Sequence, residues 1–185
     1  PATVEEAFWL TVKAFNLADR YQLPVIMLTD HHLASSYATV PRFDLSKVTI
    51  DRGELLRPDE TANPKEYKRH KITPSGISPR ALPLQGKALV VTDADEHDEG
   101  GHLIEDADMR THMMLKRLRK LDRLKDDIAP PQVYGSDKAQ TTLVGWGSTY
   151  GALREAVDIL RDEGLDANLL HLSELWPFPP QAVAQ

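Results

Sequence analysis

A chain of 185 residues with 41% hydrophobic and 27% charged residues has material for one domain, or for a small domain joined to part of another. Its net charge of −6 argues against nucleic acid as a partner, and no apolar run approaches the roughly 20 residues that span a bilayer, so no membrane partner is expected either. With no cysteine it holds neither a disulfide, a thiolate nucleophile nor an iron–sulfur cluster by itself.

No charged-then-apolar leader opens the chain, and the expected compartment is cytoplasmic. A start at Pro1 rather than Met, and an end at Gln185 soon after Trp176-Pro177-Phe178-Pro179-Pro180, lead us to expect a piece of a longer protein.

From Glu5 to Tyr21, Phe8, Val12 and Phe15, with Leu10, Ala14, Leu17 and Ala18 on an adjacent stripe, recur at helical spacing and predict a helix buried on a wide face. Pro24 opens the apolar run Val25-Ile26-Met27-Leu28, which suits a central parallel strand covered on both sides. Asp30 is placed to cap a short helix over His31 to Ala38, ended by Pro41. Between Arg42 and Leu84, prolines at 58, 64, 74, 79 and 83 and little periodicity predict a long irregular excursion. Lys87 to Thr92 returns as a strand.

After Gly101 the pattern is helical, with Met109, Met113, Leu118, Leu121 and Leu124 on the apolar side. Six Lys and Arg between positions 116 and 125 form the other side, read as a solvated face on a connecting helix. Ala129-Pro130-Pro131 and Gly135-Ser136-Asp137 read as a linker at a domain boundary. Thr141 to Gly147 then predicts a strand entering a glycine turn, Ser148 a cap for a helix ended by Gly164, and Ala167 to Leu172 a second strand. This is a βαβ unit with parallel strands and a right-handed crossover. The fold class is therefore α/β.

Gly145-x-Gly147-x-x-x-Gly151 has its third glycine one place too far for a dinucleotide loop, so it reads as a tight turn whose free N–H groups can receive an anion or a partner's carboxylate. Asp93, Asp95, Glu96, His97, Asp98, Glu99 and His102 offer oxygen and imidazole, but their spacing matches neither a zinc helix nor a calcium loop; no metal site is assigned. Ser75, Ser78 and Arg80 lie in a turn-rich strip where an arginine fork and two hydroxyls can clamp a carboxylate. From the residues alone the reading ends at an anion-binding α/β protein.

The ordered series EAFWLTVKAFNLADRYQLPVIMLTD, SGISPRALP, DEHDEGGHLIEDADMRTHMMLKRLRKLD and LVGWGSTYGALREAVDILRDEGL, followed by LWPFP, resembles the α chain of the 2-oxoacid:ferredoxin oxidoreductases, and within them the 2-oxoglutarate branch. The resemblance implies that residues 1–128 are the C-terminal part of a thiamine-diphosphate pyrimidine-binding domain plus a connecting helix. Residues 138–185 would begin a transketolase C-terminal-like α/β domain. It implies oxidative decarboxylation of a 2-oxoacid with coenzyme A, to an acyl-CoA and carbon dioxide, with electrons passed to ferredoxin.

Thiamine diphosphate would be shared with a β subunit, and magnesium and the iron–sulfur cluster would lie on the partner chain. Arg80, with Ser78 and Ser75 beside it, would bind the substrate, and the loop of His97, Asp98 and His102 would line the site. No catalytic residue is assigned within this chain. The family's Tyr-Pro-Ile-Thr-Pro and Gly-Asp-Gly segments and its pyrimidine-activating carboxylate have no match here, and Leu84-Gln85-Gly86 stands where Pro-Gly is expected. By itself the chain is expected to be inactive; the rival reading is a non-catalytic α/β interaction module of a larger complex.

Overall fold

The computed structural model describes residues 1–61, 63 and 66–184; Pro64 of the proline-rich excursion lies outside them. Two compact units emerge, one from Pro1–Phe15, Pro24–Ile50 and Asp127–Gln185, the other from Asn16–Leu23 and Asp51–Asp126. The chain is mixed α/β, as its sequence pattern predicts.

In the first unit, helix α1 (Val4–Tyr21), which runs on into the second, opens on Thr3. The Thr3 hydroxyl accepts the Glu6 N–H at 3.1 Å, and the Glu6 carboxylate turns back to accept the Ala2 N–H and the Ser173 hydroxyl. This reciprocal cap satisfies donors that a helix start leaves unpaired. α1 is not buried on a wide face: Phe15 is 74% exposed. Helix α2 (His31–Ser35) is shorter than predicted and ends before Pro41, and Asp30 caps it by accepting the Leu33 N–H at 2.8 Å.

The sheet of this unit has three strands in the order β1-β3-β2, with β1 at Gln132–Tyr134, β2 at Thr141–Trp146 and β3 at Ala167–Leu172. β2 and β3 are parallel, from Thr141 opposite Ala167 to Trp146 opposite Leu172, as the βαβ pattern requires. β1 was not legible in its proline- and glycine-flanked segment, and it pairs antiparallel with β3. Helix α4 (Thr149–Asp162) crosses over between β2 and β3, and a Cβ on Gly145 would stand 2.1 Å from Leu153 Cδ1, so a larger residue there would make the Leu153 side chain shift. Val157, Ala167, Leu169 and Leu172 form the core, and a short helix α5 (Pro180–Val183) follows.

Both ends of α4 differ in how they are closed. Gly164, at φ +85°, donates to the Arg161 carbonyl while Leu165 N–H reaches the Leu160 carbonyl at 2.9 Å, the paired bonds of a Schellman stop. At the other end the Ser148 side chain makes no capping bond, contrary to its predicted role. Instead its backbone N–H donates to Asp30 Oδ2 at 3.1 Å. The carboxylate at this helix start comes from the chain itself rather than from a partner.

The second unit is mostly loop folded on helix α3 (Ala107–Leu124), capped by Asp106, which accepts the Met109 N–H at 2.7 Å. Its core holds Tyr21, Ile77, Ala81, Met113 and Leu124. Apart from 3-10 turns at Leu45–Lys47 and Pro58–Thr61, the stretch between α2 and α3 lacks regular structure among the described residues, and a third such turn, Lys125–Asp127, follows α3. Two predicted strands are corrected here. Val25 to Leu28, in the first unit, and Lys87 to Thr92, in the second, form no strand, and Ile26 is 79% exposed. An extended run becomes a strand only where a neighbour accepts and donates its backbone bonds, and none does among the described residues.

Candidate functional site

Arg80 is fixed by its own backbone. Its N–H donates to the Glu54 carbonyl at 2.8 Å and its carbonyl accepts from Leu56 at 2.9 Å, a parallel bridge of Leu55 with Arg80. The guanidinium is largely buried: Nη2 lies 3.1 Å from Asp19 Oδ1 and 3.4 Å from the Arg52 carbonyl, while Nε, also buried, has no hydrogen-bond partner among the described residues. Asp19 in turn pairs with Arg52 Nε at 2.7 Å. Asp19 carried no signal in the sequence beyond being an acid on a helix, since its partners lie far along the chain.

Ser75 and Ser78 stand in the turn that leads to Arg80. Ser75 Oγ accepts the Ile77 N–H at 3.1 Å and lies 3.2 Å from Thr73 Oγ1. Ser78 is buried, and its hydroxyl donates to the Lys71 carbonyl at 2.9 Å. Gly76, at φ +78°, lays this turn on α3 so closely that a Cβ would come within 2.3 Å of the Lys116 carbonyl oxygen. Both hydroxyls thus brace the turn, and Arg80 leaves it as the charged group.

The acidic loop forms a small hairpin. His97 bridges Leu103, Asp98 N–H donates to the His102 carbonyl at 2.9 Å, and Ile104 N–H to the Glu96 carbonyl at 3.0 Å. Asp98 Oδ1 accepts from Gly101 and His102 N–H at 2.9 and 3.0 Å, and these bonds, the His102 N–H first, hold its carboxyl below the usual range. Glu99 is held low in the same way by Lys68 Nζ at 2.7 Å and by the Ile72 N–H at 2.8 Å. Glu96 takes Arg117 in a two-point pair at 3.1 and 2.7 Å, which lowers it as well.

The hairpin divides the three residues assigned to it. His97 lines a cavity of about 760 Å³ together with Asp93, Asp95, Arg110 and Arg117. Asp98 and His102 line another, of about 560 Å³, with Tyr67, Val91 and Met109. His97 also stacks on His70, ring centroids 3.8 Å apart, and burial, with His97 next, pushes the His70 imidazole down to about 3. Two stacked rings at this distance resist sharing two positive charges.

The basic side of α3 is solvated only in part: Arg123 and Lys125 are exposed, but Lys116, Arg119 and Lys120 meet the loops. Lys116 is buried, Lys120 Nζ donates to the Gln22 carbonyl at 2.6 Å, and Arg119 to the Thr73 carbonyl at 3.2 Å, while Leu118 is 54% exposed. Burial, then the neighbouring cations, pushes Lys116 and Lys120 down to about 8. Lysine stems pack as apolar chains when their heads find carbonyls, as that of Lys120 does. Met113 and Leu124 of the predicted apolar side are buried as expected, so α3 is covered on both sides at Lys116 and Lys120.

Among the described residues no three His, Asp or Glu side chains are grouped to hold a metal ion. The magnesium that would carry a diphosphate therefore finds no such ligand set within them. Among the described residues, no helix is long and apolar enough to cross a membrane.

A family model described as pyruvate flavodoxin/ferredoxin oxidoreductase, thiamine diphosphate-binding, matches residues 1–116. Another, pyruvate:ferredoxin oxidoreductase core domain II, matches residues 139–185. These define an α/β protein with a thiamine-diphosphate-binding domain followed by an oxidoreductase core domain.

The α subunit of 2-oxoacid:ferredoxin oxidoreductase 2 from Aeropyrum pernix is 42% identical over 97% of this chain and 28% of its own length. The 2-oxoglutarate synthase subunit KorA of Methanothermobacter marburgensis is 30% identical over all of this chain and 48% of its own. The 2-oxoglutarate:ferredoxin oxidoreductase from Magnetococcus marinus, solved with 2-oxoglutarate, coenzyme A and succinyl-CoA bound, matches 97% of this chain and 31% of its own with a TM-score of 0.85 at 33% identity. The chain belongs to the 2-oxoacid:ferredoxin oxidoreductases as part of an α subunit, and it spans between 28% and 48% of the relatives it matches.

Proposed function

We propose that this chain is part of the α subunit of an enzyme that oxidatively decarboxylates a 2-oxoacid, 2-oxoglutarate foremost. The acid and coenzyme A yield succinyl-CoA and carbon dioxide, and the two electrons released pass to ferredoxin. The observation that carries this reading is the fold shared over nearly the whole chain with the Magnetococcus marinus enzyme, whose bound molecules are that substrate, cosubstrate and product.

Thiamine diphosphate would be shared with a β subunit, and magnesium and the iron–sulfur cluster would belong to that partner; the absence of cysteine here agrees with the latter. We place the assembly in the cytoplasm, and take residues 1–128 and 138–185 as its pyrimidine-binding and following domains. The unpaired Val25 to Leu28 run supports the view that further strands come from parts of the protein not spanned here.

In this reading Arg80 binds a substrate carboxylate, with Ser78 and Ser75 acting through the turn they brace, and His97, Asp98 and His102 lining the site. A largely buried guanidinium with an unpaired Nε supports a role for Arg80 beyond its ion pair. The test is CoA-dependent reduction of a low-potential dye by the full α chain assembled with its β chain, offered 2-oxoglutarate, pyruvate and branched 2-oxoacids. Turnover with 2-oxoglutarate is expected; a folded, cofactor-loaded complex without turnover on any of them would overturn the reading. Arg80→Ala is expected to raise KM at least roughly tenfold, since a hydrogen bond to a charged group contributes about 1.5–3 kcal/mol. An unchanged KM would remove Arg80 from the substrate.

A further inference from the structure

His171 is the most fully enclosed polar residue of β3, 2% exposed, and its Nε2 has no hydrogen-bond partner among the described residues. It lines a cavity of about 330 Å³ with Glu5, Glu6, Trp9, Gln132 and Tyr150. The Tyr150 ring, from the first turn of α4, packs against the imidazole at 4.8 Å. A buried ring nitrogen left unpaired is costly, and an occupant able to bond it removes that cost.

The chemistry of the walls selects the occupant. Two carboxylates line the cavity and no Lys or Arg does. Among the described residues Glu6 is held by neutral donors, the Ala2 N–H and the Ser173 hydroxyl, so its charge is oriented but not neutralised. Trp9 supplies an aromatic face of the kind on which a cation stacks, and Gln132 an amide that accepts or donates. The proposed reactants, a 2-oxoacid, coenzyme A and thiamine diphosphate, are all anions, which such walls repel. No group of three metal-ligating side chains forms among the described residues, so the complement is an organic cation rather than a coordinated metal ion.

We propose that this cavity is a binding site for a guanidinium or alkylammonium group, stacked on Trp9, paired with Glu5 and Glu6, and donating to His171 Nε2. It is independent of the substrate assignment. The cation comes either from a free small molecule or from an Arg or Lys side chain of a partner subunit.

Calorimetry with ethylguanidinium and butylammonium, and with neutral butylurea as control, tests it on the full α chain and on the assembled complex. Saturable binding of a cation at one site per chain is expected, at least tenfold weaker in Glu5→Gln and in Trp9→Leu. Binding to both forms identifies a small-molecule site, and binding to the isolated full chain alone identifies a partner's side chain as the occupant in the complex. No saturable binding to either form, equal binding of butylurea, or affinity unchanged in both variants would overturn it. Glu5 is exposed on the first turn of α1, so Glu5→Gln leaves folding intact and keeps the test decisive.

Discussion

Gly76→Ala puts the contact between the Ser75–Ser78 turn and α3 to a direct test. Two costs add. The residue sits at φ +78°, and an L side chain in the left-handed region costs about 1–2 kcal/mol. The new Cβ would also lie 2.3 Å from the Lys116 carbonyl oxygen, an atom held in the helix backbone and unable to rotate away. Overpacking of this kind costs about 1–3 kcal/mol, so a loss of about 2–5 kcal/mol is expected.

The control is Gly151→Ala, a helical position in α4 where nothing lies within 4 Å of the added Cβ. There the substitution should stabilise by about 0.5–1 kcal/mol. Urea unfolding of the full α chain, compared at unchanged m, reads both. A change for Gly76→Ala below about 0.5 kcal/mol, the range of an ordinary surface substitution, would refute the close approach of turn and helix. It would also remove the physical reason for placing Arg80 at the end of a rigid turn.

Asp30→Ala should destabilise α2 and the start of α4 together, because one carboxylate serves the Leu33 and Ser148 N–H groups. These bonds, Leu33 first, hold Asp30 down to about 2 from 3.8, so its contribution is complete above about pH 4 and fades as pH falls through 2. Urea midpoints of wild type and variant should therefore differ at pH 7 and converge near pH 2; a constant difference would contradict the charge-based account. Lys116→Met should raise the thermal midpoint at pH 7, because burial and nearby cations disfavour the ammonium in the fold, down to about 8 from 10.5. The unfolded chain binds more protons between those values, so wild-type stability rises with pH across them and the advantage of the variant should vanish above about pH 10.5. A variant less stable than wild type at pH 7 would show instead that Lys116 is needed as a cation.

Elements that close on near neighbours were legible in the sequence, and those that depend on distant chain were not. The βαβ unit could be read because strand, glycine turn, helix and Gly164 stop follow one another within a few tens of residues. Asp30 could be read as the cap of α2, three residues from its donor, but not as the carboxylate at the start of α4, 118 positions away.

Periodicity gave α3 its length and its buried Met113 and Leu124, but not the cover over Lys116 and Lys120. Leu118 and Lys116 lie two positions apart on different faces, and a pattern of Leu and Lys fixes which residues share a face without fixing which face meets the protein. Carbonyls of Gln22 and Thr73 and the carboxylate of Glu96 decided it, by offering the cations partners that solvent offers less rigidly. The same principle separates the two sets of site residues. Arg80 stood out in the sequence because its turn is local, whereas Asp19, which holds the guanidinium, and His70, which stacks under His97, became visible only when the loops met.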